Sequence, residues 1–177
     1  AADLLSQAEH GIDSQVLLIC NEEAMIEKVG QAVEEQLNLL PRKSIAEQAL
    51  ANSKSILVSS MEEAMLISNC YAPEHLIIAA DQAEELAAQV INAGSVFLGH
   101  YTPESAGDYA SGTNHTLPTN GHARAYSGVS VDSFVKKVTF QQITKEGIQQ
   151  VGPTVIAMAE AEGLDAHANA VKIRIKK

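Results

Sequence analysis

The sequence contains no tryptophan and only two cysteines, Cys20 and Cys70. Two thiols cannot form a disulfide framework, so stability has to come from an apolar core. Reduced thiols in a cytoplasmic protein are expected, and both cysteines read as small, buried apolar residues. Cations are scarce as well: 12 Lys and Arg stand against 22 Asp and Glu, for a net charge of −10. That balance excludes a nucleic-acid surface, which needs clustered positive charge. The longest basic run, 172–177, closes the chain and reads as a solvated helix end. No apolar run reaches the roughly 20 residues that span a bilayer, so no membrane association is expected. A secretory leader is not visible, although the chain does not open on Met. Repeats and low-complexity segments are missing, and so is a G-x-G-x-x-G dinucleotide fingerprint.

What is present reads as an α/β protein. Hydrophobic residues at 46% and charged residues at 19% are the balance of a soluble globular chain. A length of 177 residues suffices for one domain with its own core, with or without an appendage. Ala2 to His10 predicts a short helix stopped near Gly11. Gln15 to Cys20 is a continuous apolar run of the kind found in buried parallel strands. Asn21 is placed to cap the next helix, whose apolar face carries Met25, Val29, Val33 and Leu37. Pro41 ends it, and further elements follow: a helix at 45–50, a strand at 55–59, a helix at 61–70 with Ala64, Met65 and Ile67 inward, a strand at 76–79, a helix at 81–92 and a strand at 95–98. Apolar strands alternating with helices predict a mainly parallel sheet with helices on both faces. Residues 121–133 read as irregular and 134–144 as strand-like. A helical tail begins at Thr144, with interruptions at Gly152-Pro153 and at Gly163. The expected division is 1–133 for the α/β domain and 134–177 for the tail, which has few aromatics and no third layer to pack on and so is expected to dock elsewhere.

Four groups of residues could carry chemistry. The stretch from Asn92 to Pro118 opens as an apolar strand and becomes a glycine-rich polar loop holding Glu104, Asp108, Tyr109, Ser111, Thr113, Asn114 and His115, the usual way an α/β fold presents a site. Plain solvated turns would give the same polarity. Gln7 and His10 share a helix face and could each give a metal a neutral donor, or be ordinary surface. Glu74-His75 follows Pro73 at a strand mouth, where a carboxylate and an imidazole suit general acid–base work as well as a capped turn. Asp108 could bind a metal and His115 a substrate carboxylate. Glu162 and His167 flank a turn at Gly163, and His167 alone reads as an exposed helical histidine.

DLLSQAEHG (3–11), SNCYAPEHLII (68–78), NAGSVFLGHYTPESAGDYASGTNHTLPT (92–119) and AEGLDAHANAV (161–171) are long, ordered blocks spread over nearly the whole chain. Together they resemble the C-terminal part of the histidinol dehydrogenase family. The resemblance implies an oxidoreductase of histidine biosynthesis that oxidises L-histidinol through L-histidinaldehyde to L-histidine with Zn2+ and two NAD+. It places zinc ligands at Gln7, His10, Asp108 and His167, the catalytic pair at Glu74 and His75, and substrate contacts at Gln7, His10, His75, Asp108, His115, Glu162 and His167. It also implies a homodimer whose swapped tail, with Glu162 and His167, completes the partner's site. An oxygen and nitrogen donor set suits Zn2+ with open positions, whereas an all-sulfur set would be closed.

The family's chain is more than twice this length. The portion before DLLSQAEHG would hold a second Rossmann-like domain with most NAD contacts and a substrate-contacting serine, so no cofactor-binding residue is assigned here. The sheet is accordingly expected to be an incomplete Rossmann-like one. A C-terminal portion expressed by itself is favoured over a natural split piece. Such a piece alone is expected to be inactive, the alternative reading being a non-catalytic, zinc-binding, dimerising module.

Overall fold

The computed structural model describes residues 1–176. Its elements alternate as the apolar pattern predicts: α1 (Ala2–Ala8), β1 (Leu17–Cys20), α2 (Glu23–Leu37), α3 (Lys43–Ala51), β2 (Lys54–Leu57), α4 (Met61–Tyr71), β3 (His75–Ile78), α5 (Ala83–Ala87), β4 (Ser95–Leu98), α6 (Glu104–Tyr109), α7 (Lys145–Ala161) and α8 (Asp165–Ile175). β1 pairs parallel with β2, Leu17 opposite Lys54 and Cys20 opposite Leu57. β3 pairs parallel with β4, His75 opposite Ser95 and Ile78 opposite Leu98. Parallel neighbours need a crossover, supplied by α2 and α3 in the first pair and by α5 in the second. The α/β class is as expected. Among the described residues, however, the strands form two separate two-stranded sheets.

The chain divides into two compact units, Ala1–Phe134 and a second beginning at Val135. In the first, Met65 of α4 packs with Ile78, Ala83 and Leu86 under the β3–β4 pair. A second cluster of Ala8, Ala46 and Ala49, all fully buried, lets α1 lie close on α3. α4 is well started: the Ser60 hydroxyl accepts from the Glu63 N–H at 3.3 Å, and the Glu63 carboxylate accepts from the Ser59 N–H and hydroxyl at 2.7 Å each. It ends at Ala72, a left-handed residue (φ 57°) whose N–H donates to Ser68 O. Pro73 follows and cannot continue a helix, so the chain turns sharply just before Glu74. Gly94 then approaches that turn closely. Its N–H donates to Pro73 O at 2.9 Å, the Ser95 N–H donates to Glu74 O at 2.9 Å, and a Cβ on Gly94 would stand 2.5 Å from Glu74 O.

Several expectations are corrected. α2 is capped at Glu22 without a side-chain cap, and Asn21 plays no such part; the Glu22 N–H instead meets Cys20 Sγ at 3.4 Å. α2 buries no residue fully, and Met25 stays exposed. α5 is a five-residue helix where 81–92 was expected. The 92–118 loop is broken by α6. Residues 121–133 hold two short 3-10 turns, at His122–Arg124 and Val131–Phe134. Residues 135–144 form no strand, since no neighbouring strand offers them a ladder, and Val138 and Phe140 stand exposed. Cys20 is half-buried and Cys70 exposed, not buried.

In the second unit α7 runs unbroken through Pro153. The lost helix hydrogen bond is offset by packing against α8, where buried Gly152 leaves no room for a Cβ beside Ile175 and Val171. The Thr144 hydroxyl accepts from the Gly147 N–H at 3.0 Å and starts the helix. Gly163 (φ +71°) ends it, with the Leu164 N–H donating to Ala159 O at 2.8 Å and the Gly163 N–H to Glu160 O at 3.0 Å, a paired closure that requires a left-handed residue. Lys172 and Arg174 lie in the last turn of α8, and Lys177 lies outside the described residues.

Candidate functional site

Three segments of the first unit converge on one pocket of about 520 Å³, lined by Gln7, His10, Ser14, Glu74, His75, Asp108, Tyr109 and His115. α1 supplies Gln7 from its last turn and His10 from just beyond its end, where the His10 N–H donates to Gln7 O at 3.3 Å. Arg42 donates to His10 O at 3.3 Å and holds that turn down. The left-handed turn at Ala72 delivers Glu74 and His75 at the first residue of β3. α6 brings Asp108, and the loop after it brings His115. That loop is shaped by the Thr113 hydroxyl donating to Gly107 O at 3.0 Å and by Asn114 Oδ1 accepting from the Thr116 N–H at 2.6 Å. The structure thus gathers six of the residues singled out in the sequence: Gln7, His10, Glu74, His75, Asp108 and His115. Glu162, which caps the end of α7, and His167, on α8, are exposed residues of the second unit. A larger groove in that unit, about 620 Å³ between Ile143, Ile148 and Val171, offers no metal-ligand or acid–base set.

His75 lines the pocket from the first residue of β3. Its side chain is 10% exposed, and its ring lies 6.0 Å from that of Phe97. Nδ1 stands 3.0 Å from Gln7 Oε1. An amide oxygen only accepts, so the ring proton sits on Nδ1, which donates to Gln7. Nε2 therefore carries the lone pair, and it is buried with no hydrogen-bond partner among the described residues. Burial pushes the imidazole pKa down, against the upward pull of the Asp108 charge, with His10 adding to the lowering. Burial likewise pushes Glu74 up; His10 opposes this and Asp108 adds to it.

Glu104 was legible in the sequence only as one polar loop residue. It opens α6 and is 2% exposed. Its Oε1 lies 3.6 Å from His75 Nδ1 and 3.9 Å from His10 Nε2. Burial, followed by the charges of Asp108, Glu74 and Asp3, raises its pKa to about 7. His10, Glu104 and Asp108 place one donor atom each within 4.8 Å of the others, a grouping able to hold a metal ion. The signal that could have found Glu104 is its spacing from Asp108: four residues apart on a short helix, the two carboxylates share a face.

The chain matches the family model described as Histidinol dehydrogenase over residues 1–175. It is 60% identical over 177 residues to the histidinol dehydrogenase of Bacteroides fragilis (strain YCH46) and 54% identical to that of Vibrio cholerae serotype O1, covering 100% of this chain and 41% of each relative. The crystal structure of histidinol dehydrogenase from Elizabethkingia anophelis superimposes with a TM-score of 0.96 at 59% identity, covering 99% of this chain and 40% of that one. The chain therefore spans about two fifths of the length of the curated relatives it matches. On a family match of that extent, the chain belongs to the histidinol dehydrogenase family.

Proposed function

We propose that this chain carries the metal-binding and acid–base half of a zinc- and NAD+-linked oxidation of L-histidinol to L-histidine. The observation that carries the reading is His75 Nε2, a buried lone pair with no hydrogen-bond partner among the described residues, on a side chain that lines one pocket with Glu74, His10 and Asp108. The donor set fits a zinc ion: one amide oxygen, one imidazole and one carboxylate from this chain leave positions for a fourth ligand and a substrate. Gln7, His10 and Asp108 would hold it, with His167 of a second copy as the fourth ligand. Bound zinc would supply a fixed anchor for the imidazole and amino nitrogens of the substrate. NAD+, held chiefly by the part of the relatives outside this span, would supply the hydride acceptor for both oxidations.

The chain's own residues then have distinct tasks. His75 Nε2 takes the hydroxyl proton of the alcohol as its C–H hydride departs, leaving the aldehyde. The lowered pKa keeps this imidazole neutral and able to accept at neutral pH. Gln7, accepting from Nδ1–H, holds the ring in the tautomer that makes Nε2 the base. Glu74 then takes a proton from the water that adds to the aldehyde carbon while His75 returns its proton to the carbonyl oxygen. The neutral His75 takes a hydroxyl proton of the hydrate as the second hydride leaves and the acid forms. One water is consumed and two NAD+ are reduced per alcohol. His115 and, from the second copy, Glu162 contact the substrate. A homodimer accords with a second unit whose buried residues in its helices are only Gly152, Ala159 and Ala168, while Val151, Val155 and Met158 stay exposed.

The first measurement is zinc content together with mass in solution, on this chain and on the full-length protein that carries it. The expected result is one zinc per chain in a dimer, with two NADH formed per L-histidinol by the full-length protein alone. A full-length protein that takes up no zinc, or reduces no NAD+ with histidinol, overturns the reading. The second reading, a non-catalytic zinc-binding dimerisation module, rests on the missing dinucleotide fingerprint and applies to the isolated span.

A further inference from the structure

We propose that Glu104 is a positioning residue, one buried carboxylate that fixes the base His75 and the metal ligand His10 relative to each other. This rests on the reading of the site above. Glu104 is the one charged residue among the described residues that is buried. An isolated buried charge is expensive, so a buried carboxylate needs groups that face it. Here they are two imidazoles from separate segments: His75 Nδ1 at 3.6 Å, at the mouth of β3, and His10 Nε2 at 3.9 Å, past the end of α1.

The fold is built to sink this residue. Pro103 starts α6, and Gly107, one turn on, sits so close to Phe97 of β4 that a Cβ there would be 2.6 Å from the ring. The missing side chain lets α6 settle onto β4, which lowers Glu104 beneath the pocket. Phe97 in turn packs beside the His75 ring. The carboxylate thus faces both imidazoles from α6 and orients them, as outer carboxylates orient metal-ligating histidines.

The test uses the full-length protein with Glu104→Gln, which keeps the shape and removes the charge, and Glu104→Asp, which keeps the charge and shortens its reach. Zinc affinity by chelator competition, kcat and KM, and melting temperature are read for each. Glu104→Gln is expected to weaken zinc binding about 10- to 100-fold and to lower kcat more than it changes KM. Glu104→Asp is expected to retain part of the affinity that Glu104→Gln loses. Zinc affinity equal to the parent's in both variants overturns the inference while the metal reading stands, and so does a lowered melting temperature with affinity and kcat unchanged. A parent that binds no zinc overturns the metal reading and the inference with it.

Discussion

A single carboxylate decides how this site responds to pH when no metal is present. Glu104 is held at about 7 in the folded chain against an ordinary 4.5. Between those values the folded state keeps a proton that the unfolded state has lost. Its contribution to stability is therefore full below about pH 4.5 and is lost as pH rises through 7. The range corresponds to about 3 kcal/mol at most. His75 runs the other way: its lowered pKa gives stability that is present above its ordinary 6.5 and is lost as pH falls. Comparing parent with Glu104→Gln isolates the carboxylate. In chelator-treated full-length protein, the variant should unfold at nearly the parent's denaturant concentration at pH 4.5 and at a higher one at pH 8. Equal midpoints at both values would contradict the assignment. Zinc should reverse the order, since a bound cation favours the carboxylate. None of this was legible in the residue types. The sequence marks Glu104 as polar and in a loop, and only the depth to which α6 sinks separates it from its exposed neighbours Ser111 and Asn114.

At the scale of elements, what could be read followed from local physics and what could not depended on partners. QVLLIC and SILVS are strands because nothing in them permits an amphipathic helix, and both appear, paired parallel. The 134–144 segment has the same β-prone residues, yet forms no strand, because a strand exists only with a neighbouring strand. Pro153 reads as a helix break but lies inside α7, where packing of Gly152 on Val171 and Ile175 outweighs one missing hydrogen bond. Glycines divide along the same line. A Cβ on Gly94 would press on the backbone oxygen of Glu74 at 2.5 Å, whereas a Cβ on Gly30 of α2 meets nothing within 4 Å. Gly94→Ala should therefore destabilise by about 1–3 kcal/mol and displace Glu74 and His75, lowering kcat. Gly30→Ala should stabilise by about 0.5–1 kcal/mol and leave kcat alone. Denaturant unfolding and steady-state kinetics on both variants check this, and equal effects of the two would show that the close approach at Gly94 is not needed.

The whole molecule poses the question that neither unit answers by itself. The first unit gathers Gln7, His10 and Asp108, three of the four residues proposed as zinc ligands. The second exposes His167 on a helix hairpin with little core. A family resemblance pairs them across a dimer, and a shared site makes a demand that a site within one chain does not. His167→Ala should weaken zinc binding in the homodimer, and a Gln7→Ala/His10→Ala double variant should do the same. A mixed dimer of the two has one site in which intact Gln7 and His10 meet the other copy's intact His167, and one site with every defect. Co-expressing the two full-length variants with different tags and isolating the doubly tagged dimer should therefore recover one tight zinc per dimer and about half the parent's activity. A site built within one chain would leave both halves of that mixed dimer defective, so a doubly tagged dimer without tight zinc would assign His167 to its own subunit's site.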